Sequence, residues 1–140
     1  MSPLFKAIAL VLAFSAPAFA QASAPLSLDL ELNALQPTEK GCKVTFLATN
    51  KLGAPLDRAA IETALFDADG AIDRIVNLDF KGLTEGKTKV LQFELADLPC
   101  DGIGRVLINT VSACEGTGLA PAACLDNLKT TTRPSITFGL

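Results

Sequence analysis

The side chains best equipped for chemistry crowd into "FDADGAIDRIVNLDF", residues 66–80, where Asp67, Asp69, Asp73 and Asp79 surround Gly70. So many carboxylates in one stretch invite a calcium loop. An EF-hand loop needs oxygen ligands at positions 1, 3 and 5, glycine at 6 and glutamate at 12. Counted from Asp67, glycine falls at position 4, Ile72 at 6 and Leu78 at 12, so the pattern ends after two ligands. Asp69-Gly70 reads instead as the dipeptide of a tight hairpin turn, where glycine accepts the positive φ that other residues resist. Asp73 and Asp79 share a strand face with Asn77 and are expected on a solvated acidic side.

The rest of the inventory is thin. The chain has no histidine, so no Ser-His-Asp or Cys-His arrangement is available, and acid–base work would fall to carboxylates or lysines. Those carboxylates are scattered, and no catalytic residue is expected. Gly102 and Gly104 in "DGIGR" lack the third glycine and following helix of a dinucleotide loop, and read as a loop before a strand. Without Trp or Tyr there is no aromatic platform for sugars, and the single Met, the initiator, excludes copper sites built on Met and His. Phe46, Phe66, Phe80, Phe93 and Phe138 fall in strand-like segments and are expected in the core.

Cysteine is the remaining reactive type. Cys42, Cys100, Cys114 and Cys124 lack both C-x-x-C spacing and histidine partners, which argues against a zinc site and against thiol redox catalysis. No metal and no cofactor is expected. An even number of cysteines in an exported chain points to disulfides, of which three pairings are open.

The export signal stands at the N-terminus. Lys6 precedes the apolar run "AIALVLAF" (7–14), and Ala18-Phe19-Ala20 places small residues where signal peptidase reads. Cleavage is expected between Ala20 and Gln21, with 22–24 a weaker second site. The run is too short for a permanent span, which needs ~20 apolar residues. No twin arginine is present and no cysteine follows either cleavage site, so a lipid anchor is not expected. Residues 1–20 are therefore read as a signal peptide and 21–140 as a single domain, periplasmic or secreted. That mature part carries 11 basic against 15 acidic residues, a net charge of −4. A mildly acidic surface suits neither nucleic acid nor anionic lipid.

The elements that must position these side chains have a period of two. "LSLDLELNAL" (26–35) puts Leu26, Leu28, Leu30 and Leu32 on one face, and "CKVTFLATN" (42–50) puts Val44, Phe46 and Ala48 inward with Lys43, Thr45 and Thr49 outward. Residues 61–67 suit helix or strand, and the alternation of Ile61, Thr63 and Leu65 favours strand. The segment 72–80 places Ile72, Val76, Leu78 and Phe80 on one face; 90–95, 105–109 and 135–140 complete the set. About seven short strands separated by turns predict an all-β fold, an antiparallel immunoglobulin-like β-sandwich. In such a sandwich the second and fifth strands are antiparallel neighbours, which favours Cys42–Cys100. Cys114–Cys124 would then staple the connection before the last strand, where "PAACLDNLK" (121–129) reads as one short helix.

Residues 44–95 also carry a family likeness. A strand ending in "ATN" with "LG" close behind, then "ALFDADG", then a "LTEGKT" turn before "VLQFEL", resembles the FxLYD and related immunoglobulin-like β-sandwich accessory domains. Phe66 stands where that pattern usually has tyrosine. The chain also resembles small uncharacterised secreted proteins of proteobacteria with a G-C-x-V-T-F motif and two later cysteines. These resemblances imply a fold and a location, and no catalytic residue. The expected function is a non-enzymatic exported domain with a binding or envelope-accessory role. Its partner would be another envelope or secreted protein, with no nucleic acid and no membrane span in the mature chain. The alternative is an inhibitor or regulatory partner of a secreted enzyme.

Overall fold

The computed structural model describes residues 3, 15–20 and 22–140. The apolar run 7–14 and Gln21 lie outside the described residues, and Ala20 is exposed without secondary structure. Among the described residues no helix is long and apolar enough to cross a membrane.

Alternating segments become strands where apolar side chains can be buried on one face. Eight are formed: β1 Ser27–Pro37, β2 Gly41–Lys51, β3 Leu56–Phe66, β4 Ile72–Leu83, β5 Thr88–Ala96, β6 Arg105–Glu115, β7 Leu128–Thr132 and β8 Thr137–Gly139. They build two four-stranded sheets, ordered β5-β2-β1-β7 and β4-β3-β6-β8. The all-β expectation therefore holds, and the core draws on both sheets. Across the sheets Phe46 meets Phe80 and Phe138, and Phe93 meets Phe80, with ring centroids 5.4–5.9 Å apart.

The sheets are mixed rather than wholly antiparallel. β7 runs parallel to β1, Leu28 opposite Leu128, and β8 runs parallel to β6, Val106 opposite Phe138. The expected helix over 121–129 is one turn, α1 Ala123–Asp126, after which the chain enters β7. The local residues explain the switch. No side chain caps the start of α1, and Thr130, Thr131 and Thr132 are β-branched residues that favour strand. The Asn127 carbonyl already accepts the Leu28 N–H at 2.9 Å, locking that entry into the first sheet.

Bulges account for side chains that left their expected face. Pairing steps from Leu65–Arg74 to Phe66–Ile72, so Asp73 is an extra residue on β4. One extra residue reverses the alternation, and Ile72 turns outward, 55% exposed. Phe66, opposite it, is likewise not in the core but half-buried on the outer face under Arg105. Leu26 precedes β1 and is exposed, while Thr45, expected outward, is covered and hydrogen-bonded to Gln92 at 3.1 Å.

Candidate functional site

The chemistry-bearing residues are for the most part bound into the architecture. β2 and β5 are antiparallel, with Gly41 opposite Ala96, which sets the start of one beside the end of the other. There Cys42 is joined to Cys100, with Cα atoms 4.9 Å apart. Cys114 on β6 is joined to Cys124 on α1, at 5.9 Å. Cys42 and Cys124 are fully buried.

The acidic turn is a five-residue connection, 67–71, between β3 and β4, longer than a two-residue hairpin loop. One Asp67 oxygen, Oδ1, accepts the N–H groups of Asp69 and Ala71, each at 2.9 Å. Gly70 takes φ +85°. Gly104 of "DGIGR" serves the same turn: its N–H donates to Phe66 O at 2.8 Å, and a Cβ there would lie 2.4 Å from Asp67 O. Its lack of a side chain is a packing requirement, unrelated to phosphate.

Asp79 is not merely solvated. Its carboxylate accepts the Lys81 N–H at 2.9 Å and meets Lys81 Nζ and Arg58 Nε, both at 3.2 Å. The backbone bond from Lys81 foremost, then these cations, hold its carboxyl below the usual carboxylate range despite some desolvation. For Asp29, burial pushes upward, but hydrogen bonds from Lys51 and Ser27 and the charges of Lys51 and Lys129 prevail, and its carboxyl is lowered. Glu31 is lowered by Asn33 first and then by Arg133. These shifts favour fixed negative charge in structural contacts. An open cleft of about 740 Å³ lies between 37–41 and 97–101, with Glu39, Asp97 and Asp101 on its walls and Cys100 in its lining. Among the described residues no group of three or more His, Cys, Asp or Glu is placed to hold a metal.

One surface not taken up by such contacts is the outer face of the second sheet; the first sheet also exposes Val90, opposite Leu47. β3 sends Ala59, Ile61 and Leu65 into the core, leaving Glu62, Ala64 and Phe66 facing out. Register carries three rows across the strands. Ile75, Ala64 and Leu107 form an apolar row; Ile72, Phe66 and Arg105 lie on one side of it, and Asn77, Glu62 and Thr110 on the other. Ala64 is only 4% exposed, between Ile75 at 55% and the half-buried Leu107. The Arg105 guanidinium sits 5.8 Å from the centre of the Phe66 ring, and Asn109 Nδ2 donates to Glu62 Oε1 at 2.7 Å. Sequence reading missed this face because the bulge at Asp73 disguised Ile72, and Phe66 was assigned to the core. The alternation of Ala64 and Phe66 against Ile61 and Leu65 is the signal that marks it.

No family model, curated protein or solved structure matches the chain.

Proposed function

We propose that the chain is a non-enzymatic exported β-sandwich domain of the immunoglobulin-like accessory kind. It works in the periplasm or outside the cell by binding an envelope or secreted protein. The observation that carries this reading is the apolar row Ile75–Ala64–Leu107 on the outside of a sheet, continued by Ile72 and Phe66. Exposed apolar residues scattered singly are ordinary, whereas a contiguous group rimmed by polar side chains is characteristic of interaction sites. Two further features support the reading. Both disulfides suit an oxidising compartment, and the carboxylates with shifted acidity are held in ion pairs rather than poised for proton transfer.

The test is capture from periplasmic extract on immobilised protein, comparing the native chain with Leu107→Asp. The native chain should retain a discrete set of exported proteins, copies of itself included, that Leu107→Asp loses while keeping its melting temperature. Identical capture by both would reject the outer face as the binding surface.

A further inference from the structure

The charges beside the apolar row repeat in a way that a second copy satisfies, and we propose that this face is the contact of a two-fold symmetric dimer of the chain. The inference rests on reading the face as a binding surface and names what covers it. Arg105 flanks the row on one side and Glu62 on the other. Among the described residues neither belongs to an ion pair. Glu62 and Phe66, the neighbour of Arg105, are four residues apart on β3, which separates the two flanks by about 13 Å.

Identical chains that close on themselves pair through a two-fold axis, each using the same patch. An axis running along β3 would stack Glu62 on Glu62 and leave Arg105 over Ile72, a like-charge contact with no compensation. An axis crossing the strands above Ala64 keeps the apolar row on itself and exchanges its flanks. Arg105 then lies over Thr110 and the bulged Asn109 of the second copy, beside the Glu62 carboxylate that the Asn109 amide holds. The pairing occurs twice, once on each side of the axis.

Association by the sheet edges is the competing route, and along β4 and β5 the fold obstructs it. Lys89 of β5 donates across the gap between the sheets to Phe80 O and Gly82 O of β4, at 3.0 and 3.2 Å. Arg74 of β4 donates to Ala96 O at the end of β5, at 2.6 Å. A second bulge, at Phe80, with Lys81 at φ +59°, further disrupts β4 as a template. Inward-turned cations and bulges are the usual guards of an exposed edge. The face itself is of modest size. Three strands of eleven or twelve residues, spaced ~4.8 Å, span roughly 14 by 36 Å beside the three-residue β8, below the ~800 Å² per partner of a standard interface and in the range of weak, reversible association.

Sedimentation of the purified chain, both disulfides intact, tests the proposal across the micromolar range. The mass should rise from one chain to two with concentration, and added salt should shift the equilibrium toward the monomer. Arg105→Glu and Glu62→Arg should each weaken the dimer about tenfold or more by setting like charges together. Combining them should restore it to within about threefold of native, since the pair is re-formed with its signs reversed. Circular dichroism confirms that each variant is folded, and both positions lie outside the core. A native chain that stays monomeric throughout overturns the proposal, as do single variants that dimerise normally or a double variant that remains as weak as its parents. Capture of a different exported protein through Leu107 by a monomeric chain would also overturn the dimer, while leaving the binding reading in place.

Discussion

Asn50 is a fully buried amide at the end of β2, and its side chain ties the turn that follows to the end of β4. Nδ2 donates to Ala54 O at 2.9 Å and to Leu83 O at 3.0 Å, while Oδ1 accepts the Leu52 N–H at 3.0 Å. Asn50→Ala strands these groups away from water, so we expect a loss of about 2–4 kcal/mol in chemical denaturation; a loss under half a kcal/mol would mean that water replaces the amide. Gly70 tests a different quantity. A Cβ there meets nothing within 4 Å, so only the backbone, at φ +85°, resists substitution. Gly70→Val should cost ~1–2 kcal/mol by the same measurement, and a neutral result would remove the conformational explanation of the turn. The lowered carboxyls of Asp29, Glu31 and Asp79 set the acid response. A carboxyl more acidic when folded contributes stability above its unfolded pKa, ~4, and loses it as pH falls through the folded value. Melting temperature should therefore drop below about pH 4, and Asp79→Asn should shallow that drop. An unchanged acid profile in this variant would show that the Lys81 and Arg58 contacts do not contribute.

At the scale of elements, the two disulfides close loops of unequal length, with separations of 58 and 10 residues. In the chain-entropy model these are worth roughly 4 and 3 kcal/mol. Replacing Cys42 and Cys100 by alanine should thus lower the denaturation midpoint more than replacing Cys114 and Cys124; the reverse order would mean that the α1–β6 staple supports more structure than its loop suggests. The Cys42–Cys100 pairing was legible because it needs only the alternation of β2 and β5 and their antiparallel order. β7 was not legible. Its partner β1 lies about a hundred residues earlier in the chain (Leu28 against Leu128), and "LKTTT" shows no alternation of apolar and polar residues. The bulge at Asp73 was equally hidden, since Ile72 falls in the same sequence phase as Val76, Leu78 and Phe80 and nothing in "IDRIVNLDF" marks the extra residue until its partner strand is known. Asn50 could have been found: it continues the inward phase of Val44, Phe46 and Ala48.

For the whole molecule, the sandwich spends its polar chemistry on itself. Cations guard the β4 and β5 edges, carboxylates hold cations or backbone N–H groups, and cysteines staple the two ends of the strands. The apolar row on the second sheet is the surface we propose for contact with other molecules. The most direct test is site-specific photo-crosslinking in intact cells, with the reactive residue at Leu107 on that face or at Gln92, an exposed position on β5 of the first sheet. Contact through the second sheet predicts discrete adducts in the periplasmic or secreted fraction from position 107 and none from position 92. Equal labelling from both positions, or adducts from position 92 alone, would contradict it.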